Sequence, residues 1–166
     1  MKLDRRALDV CYHRLGHNVD KGLAEFDAVF RDAESEYRLE DIKALLEVIQ
    51  DRTLQDERLV HWHRYYEARA ALMLWQLDAA AGHLEAIGDP LEIDRQRLEP
   101  RLELLRGQMK VMRGQWAAGR DSLKKAVAAF RAADESALQA DAYESMAQAY
   151  LMQAQGPAPV LFLNRS

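Results

Sequence analysis

The chain holds one cysteine, Cys11, in 166 residues, which excludes an internal disulfide framework and fits a reducing compartment. Proline and glycine are also scarce, at 4 and 8. Alanine, leucine, glutamate, arginine and glutamine abound instead, a helix-forming composition. No run of about 18 apolar residues occurs, so no transmembrane helix is expected. The opening M-K-L-D-R-R-A-L-D places charges where a signal peptide needs its apolar run, and a cytoplasmic protein is the expectation. There is no basic surplus: 23 Lys and Arg face 27 Asp and Glu, giving a net charge of −4 and a pI near 5.7. A general nucleic-acid binder needs cations to neutralise phosphates, so that class is not expected. No segment sustains the period-two alternation of a strand. What is present, 49% hydrophobic and 30% charged residues, suits a globular chain long enough for one domain with a sizeable core.

Apolar residues recur at three- and four-residue steps. Leu8, Tyr12, Leu15, Val19, Leu23, Phe26 and Phe30 predict two helices, roughly 3–16 and 19–34, with Asn18 or Asp20 as a cap. Ile42, Leu45, Leu46, Val48 and Ile49 predict a third, ending near Arg52. A long helix follows over 57–74, with a broad stripe of Leu59, Trp62, Tyr65, Tyr66, Ala70 and Met73. A shorter helix spans 77–87. Gly88 stops it, and Asp89-Pro90 restarts the chain in cap-then-proline order. Residues 91–113 read as helical, with either a kink at Pro100 or a new helix opening there. Gly114 ends this segment; helices over 116–133 and 138–153 follow, separated by a turn at Asp134-Glu135-Ser136. Gly156-Pro157-Ala158-Pro159 then breaks the chain before an apolar Val160-Leu161-Phe162-Leu163.

One phrase is written three times. Residues 71–76 read A-L-M-L-W-Q, residues 110–115 K-V-M-R-G-Q, and residues 150–155 Y-L-M-Q-A-Q. The shared core is [Leu/Val]-Met-x-x-Gln, and its methionines, Met73, Met112 and Met152, lie 39 and 40 residues apart. Self-similarity at such a period marks a helical repeat array, in which each unit buries its apolar face against its neighbours.

Within that frame, Gly107, Gly114, Trp116, Gly119 and Ala126, with Leu123 between the last two, resemble the tetratricopeptide (TPR) motif. That motif sets small residues where paired helices approach closely and large ones beside them. Ala68, Leu77, Ala80 and Leu84 hold the same register one unit earlier, with Trp75 standing where glycine is expected. Tyr143, Ala147 and Tyr150 begin a further unit. The resemblance covers residues 57–155. Residues 1–56 are read as a diverged pair or cap, residues 1–156 as a single domain, and residues 157–166 as a tail.

The resemblance implies an all-α, right-handed array of helical hairpins, an α-solenoid of seven or eight helices. It also implies a function without catalysis: binding a peptide or protein segment in a concave groove lined by the first helix of each pair. Mapped onto this chain, the groove takes Trp62, Tyr65, Arg69, Leu72 and Met73, then Leu104, Gln108, Val111 and Met112, then Glu144, Gln148, Leu151 and Met152. The methionines also suit core packing between neighbouring helices. Arg69, Gln108 and Gln148 are the better contacts, since polar groups gain little from burial.

Sites for other chemistry are thin. His13 and His17 stand one helical turn apart, but no carboxylate or cysteine completes a ligand set. His61 and His63 fall on different helix faces, and Glu57 with His61 reads as a surface pair. Cys11 reads as a small buried residue without a partner to activate it. No glycine-rich phosphate loop occurs. Trp62, Tyr65, Tyr66 and Trp75 read as core rather than as a stacking platform. Arg95, Arg97, Arg101, Arg106 and Arg113, interleaved with Glu92, Asp94, Glu99 and Glu103, read as a solvated, salt-bridged face.

The expectation is therefore a non-catalytic interaction module with a protein or peptide partner, no cofactor, no metal and no membrane. It would serve as a stand-alone adaptor or as the regulatory part of a larger signalling or transcription regulator. The alternative is a self-associating unit, a homodimer through the aromatic helix or the tail. A metal-dependent helical enzyme is the third and least supported class.

Overall fold

The computed structural model describes residues 5–154, so the Val160–Leu163 tail lies outside the described residues. The described residues form eight helices and no strand. None of the helices is long and apolar enough to cross a membrane. The chain divides into two compact units, Met1–Arg95 and Gln96–Ser166.

In the first unit, α1 (Arg5–His17) turns directly into α2 (Val19–Ser35). Asn18 fixes that turn: its backbone is extended and its side chain accepts a 3.0 Å bond from the Lys21 amide, satisfying one orphan donor of the new helix. Then come α3 (Leu39–Thr53), α4 (Arg58–Met73) and α5 (Leu77–Ile87). α1 lies against α2 and α3, α2 against α3, α3 against α4, and α4 against α5. The core is built from the predicted stripes: Leu15, Leu23, Phe26, Phe30, Leu45, Ile49, Leu59, Trp62, Tyr65 and Tyr66 are all buried.

α6 (Glu92–Met112) contains the boundary between the units. It starts at Glu92, later than the Asp89-Pro90 signal suggests; Pro90 precedes the helix instead of occupying its first turn. It also runs through Pro100 as one helix, and no new helix opens there. In the second unit, α7 (Trp116–Ala132) and α8 (Ser136–Ala154) pack together. Their core joins Leu104, Val111, Leu123, Ala126, Val127, Phe130, Leu138, Ala142 and Ala149, flanked by Trp116 and Met146.

Gly107 and Gly119 lie where α6 and α7 approach closely. A Cβ added at Gly119 would sit 2.7 Å from Val111 Cγ2 and 3.0 Å from the Gly107 carbonyl oxygen; one added at Gly107 would sit 2.7 Å from Leu123 Cγ. The backbones of α6 and α7 meet there as closely as side chains permit. In the first unit Ala68 and Ala80 stand twelve residues apart, the same spacing as Gly107 and Gly119, and both are fully buried.

One turn type closes four of these helices. After α4 the Trp75 amide donates to the Leu72 carbonyl at 3.0 Å and the Gln76 amide to Ala71 at 2.9 Å. After α6 the Gly114 amide donates to Val111 at 3.0 Å and the Gln115 amide to Lys110 at 2.8 Å. Tyr37-Arg38 and Asp134-Glu135 repeat the pattern after α2 and α7. This is the Schellman motif, whose turning residue must adopt a left-handed backbone. Gly114 does so at φ 76°, without side-chain cost. Trp75 does so at φ 58° and Tyr37 at φ 53°, conformations that cost L-residues about 1–2 kcal/mol. Trp75→Gly should relieve that strain, offset in part by the greater freedom of glycine in the unfolded chain. The net effect is a melting temperature raised by about 1–4 °C, read by differential scanning calorimetry. A lower value would show that the indole contributes more by packing than it loses to strain.

Candidate functional site

The expected groove residues of the first unit come together, but facing inward. Trp62, Tyr65 and Tyr66 on α4 are at most 1% exposed. Phe26 and Phe30 of α2 cover Tyr66, each with ring centroids 4.8 Å away, and Trp62 meets Tyr65 edge-on at 5.8 Å. Trp62, Tyr65 and Tyr66 thus belong to the core, as their helical crowding suggests. Trp75 does not join them: it lies in the turn and is 65% exposed.

Arg69 is the main departure from the sequence reading. Exposure was expected of it because burial of a charge is costly, yet it is 8% exposed. The cost is met by partners on α2. Nη1 donates to Asp27 at 2.7 Å, Nε to Glu34 at 3.2 Å, and Nη2 forms a second bond to Glu34. The guanidinium also lies 5.1 Å from the Phe30 ring centroid and 5.6 Å from that of Tyr65. Tyr66 donates its hydroxyl to Asp27 at 3.3 Å. Burial alone would lower the Arg69 pKa; Tyr65, Glu34 and Asp27 outweigh it and hold the value well above the ordinary one. Arg69 therefore ties α4 to α2 and presents no free charge. Leu72 is buried as well, and Met73 is half-buried at the end of α4.

A second arginine of this unit acts similarly. Arg58 opens α4 and bridges Asp20 on α2 at 2.7 Å and Asp94 on α6 at 2.8 Å. Asp94 is 1% exposed, so it is not part of a solvated face. Arg101 is buried too, held by Glu135 and by the Arg97 carbonyl at 2.7 Å. The salt-bridged, open character expected of α6 holds for Arg95 with Glu92 at 3.2 Å and for Arg106 with Glu103 at 2.9 Å.

In the second unit Gln108 is half-buried and donates to Ser145 Oγ at 3.1 Å, while Ser145 donates to the Asp141 carbonyl at 2.9 Å. Leu104 and Val111 are core, and Met112 is half-buried. Glu144, Gln148, Leu151 and Met152 are exposed on α8, and the four-residue steps from Glu144 to Gln148 to Met152 set those three on one side. Of the eight principal candidates, the structure thus buries Trp62, Tyr65 and Arg69, half-buries Met73, Gln108 and Met112, and leaves Glu144 and Gln148 open to a partner.

The sequence reading missed Asp27, Glu34 and Tyr37. Asp27 and Glu34 stand seven residues apart beside Phe26 and Phe30, a spacing that puts two acids at the margin of an apolar stripe. Tyr37 carries no local signal beyond its place at a helix end.

Other chemistry finds little footing. Cys11 is buried, and burial, then the charge of Glu25, raises its thiol pKa, which suppresses the thiolate. His63 and His83 flank Glu67 at 3.7 and 3.2 Å, and Arg64 binds the same carboxylate at 2.8 Å, adding positive charge where a cation would sit. Among the described residues, no group of three or more His, Cys, Asp and Glu is placed to hold a metal ion. No family model matches the chain, and no curated protein or solved structure matches it.

Proposed function

We propose that this chain is a TPR-like helical-repeat module that works in the cytoplasm without catalysis and binds a peptide or protein segment of a partner. The observation that carries this reading is the Gly107–Gly119 contact: it has the spacing and the close backbone approach that pair the two helices of a TPR-like hairpin, the unit from which such arrays are built. The burial of Trp62, Tyr65 and Arg69 moves the binding surface away from the middle of α4 and toward residues still open, with Glu144 and Gln148 the remaining candidates of the original set. Such a module would act as an adaptor or as the regulatory part of a larger regulator.

Selection of a random peptide display library on the purified chain tests the reading. Peptides that bind saturably, and that weaken in a Glu144→Lys/Gln148→Lys variant, are the expected result. Peptides insensitive to that variant would shift the site elsewhere on the chain, and a library yielding no binder would contradict the module itself.

The self-associating alternative gains no support from the aromatic side chains of α4. Trp62, Tyr65 and Tyr66 are already covered within one unit, so a homodimer through that helix would require the unit to open. The other surface, the tail, lies outside the described residues.

A further inference from the structure

One face, followed through three helices by the repeat spacing, is closed twice and open once. On α4, Tyr65, Ala68 and Leu72 are buried. On α6, 39 residues later, Leu104, Gly107 and Val111 are buried. On α8, a further 40 residues later, Glu144, Ala147 and Leu151 are exposed, Leu151 at 63%. The same steps separate Met73, Met112 and Met152. In the first two cases the helix that follows brings a leucine to the pair. α5 packs on α4 and buries its Leu84. α7 sets Leu123 Cγ 2.7 Å from where a Cβ of Gly107 would stand. Leu84 comes 16 residues after Ala68, and Leu123 comes 16 residues after Gly107. Sixteen residues after Ala147 comes Leu163, within the apolar run Val160-Leu161-Phe162-Leu163.

The open side of α8 is apolar enough to need a cover. Its buried side, with Leu138, Ala142 and Ala149, packs with α7 in the core of the second unit. At about 100° per residue, Ala140, Tyr143, Ala147, Tyr150, Leu151 and Ala154 share the opposite side, and all six are exposed. A helix that is apolar all round is normally covered all round. Two arginines of α7 border this side. Arg120 lies 4.5 Å from the Tyr150 ring centroid, and Arg131 Nη2 donates to the Tyr143 hydroxyl at 2.6 Å. Glu144 and Gln148 stand along the other border.

A candidate occupant is within reach. α8 ends at Ala154, and five residues, 155–159, separate it from Val160, which lies outside the described residues. Ala147 stands about 10 Å back along the helix, and five residues of chain span up to about 17 Å. Pro159 takes the register place of Ala80 and Gly119, whose amides bond the Gln76 and Gln115 carbonyls at 2.9 and 2.8 Å. A proline cannot make that bond, so Val160–Leu163 alone is assigned to the face.

We propose that Val160–Leu163 of this chain docks on the open apolar side of α8, with Leu163 against Ala147. Repeat register and exposure support this whether or not a partner peptide binds, and Glu144 and Gln148, on the polar border, stay open to one.

The test uses the full chain with Cys11→Ala, so that two introduced cysteines are its only thiols. In Ala147→Cys/Leu163→Cys, mild oxidation should close a disulfide within one chain. Closure should be about tenfold or more faster than in Met152→Cys/Leu163→Cys, because Met152, though nearer in sequence, is exposed on another side of α8. Hydrogen exchange is the second readout: Leu161→Asp/Leu163→Asp should speed exchange over residues 143–154 by about tenfold and leave the first unit unchanged. Disulfide-linked dimers in place of the internal bridge would overturn the proposal in favour of a second copy. Equal closure in the two cysteine pairs, or α8 exchange unmoved by the aspartates, would overturn it and leave the face to a foreign segment.

Discussion

Arg69→Glu should destabilise the first unit by about 3–5 kcal/mol or more, a loss large enough to unfold it under ordinary conditions. The guanidinium is 8% exposed and fills a site framed by Asp27, Glu34, Phe30 and Tyr65. Its replacement by a carboxylate sets a third negative charge beside two that have just lost their partner. Each would then be poorly solvated, because the side chains of Asp27 and Glu34 are only 16% and 20% exposed. Arg69→Met should cost less, since it removes the partner without adding a charge, and Asp27→Asn with Glu34→Gln in the same chain should recover part of the loss. Urea unfolding followed by circular dichroism gives the magnitude. Hydrogen exchange should place the lost protection in α2 and α4. A midpoint close to wild type for Arg69→Glu would show that Arg69 faces solvent and that the α2–α4 contact is wrongly drawn.

The second large effect is expected at Gly119→Leu. The first added carbon already falls 2.7 Å from Val111 Cγ2 and 3.0 Å from the Gly107 carbonyl oxygen. The Val111 side chain has some freedom to shift, but the carbonyl belongs to a helix backbone and does not. The remaining carbons of leucine would push α7 off α6. Overpacking of this kind costs about 1–3 kcal/mol, and contact with backbone places this case at the upper end. Gly82→Ala on α5 is the matched control: a Cβ there meets nothing within 4 Å, and the better helix former should gain up to about 1 kcal/mol. Equal melting temperatures for Gly119→Leu and wild type would remove the repeat register on which the functional reading rests.

The helices were legible because their ends are set locally. Asn18, Gly88 and Gly114 each settle a boundary through their own backbone preferences, and the apolar spacing between them fixes which face turns inward. Gly107 and Gly119 were legible for a related reason, since small residues at matched positions on consecutive helices have few uses other than close approach. Arg69 was not legible. Its burial depends on Asp27 and Glu34, 42 and 35 residues earlier, and nothing in the α4 sequence announces partners at that distance. The same holds for Asp94, which reads as part of a solvated face until Arg58, at the start of α4, is found bridging it to Asp20. At Pro100 the local signal left a kink or a new helix open, and the helix that continues on both sides of it removes the second. Trp75 takes the same left-handed backbone as Gly114, and its neighbours in sequence give no reason for an aromatic there.

The central claim is that this chain is a binding module for a foreign segment. Light scattering of the purified chain, alone and with a library-selected peptide, tests it most directly. A mass of one chain, 19.0 kDa, rising by one peptide at saturation, is the predicted result. A mass of two chains that takes up no peptide would contradict it and establish the self-associating unit in its place.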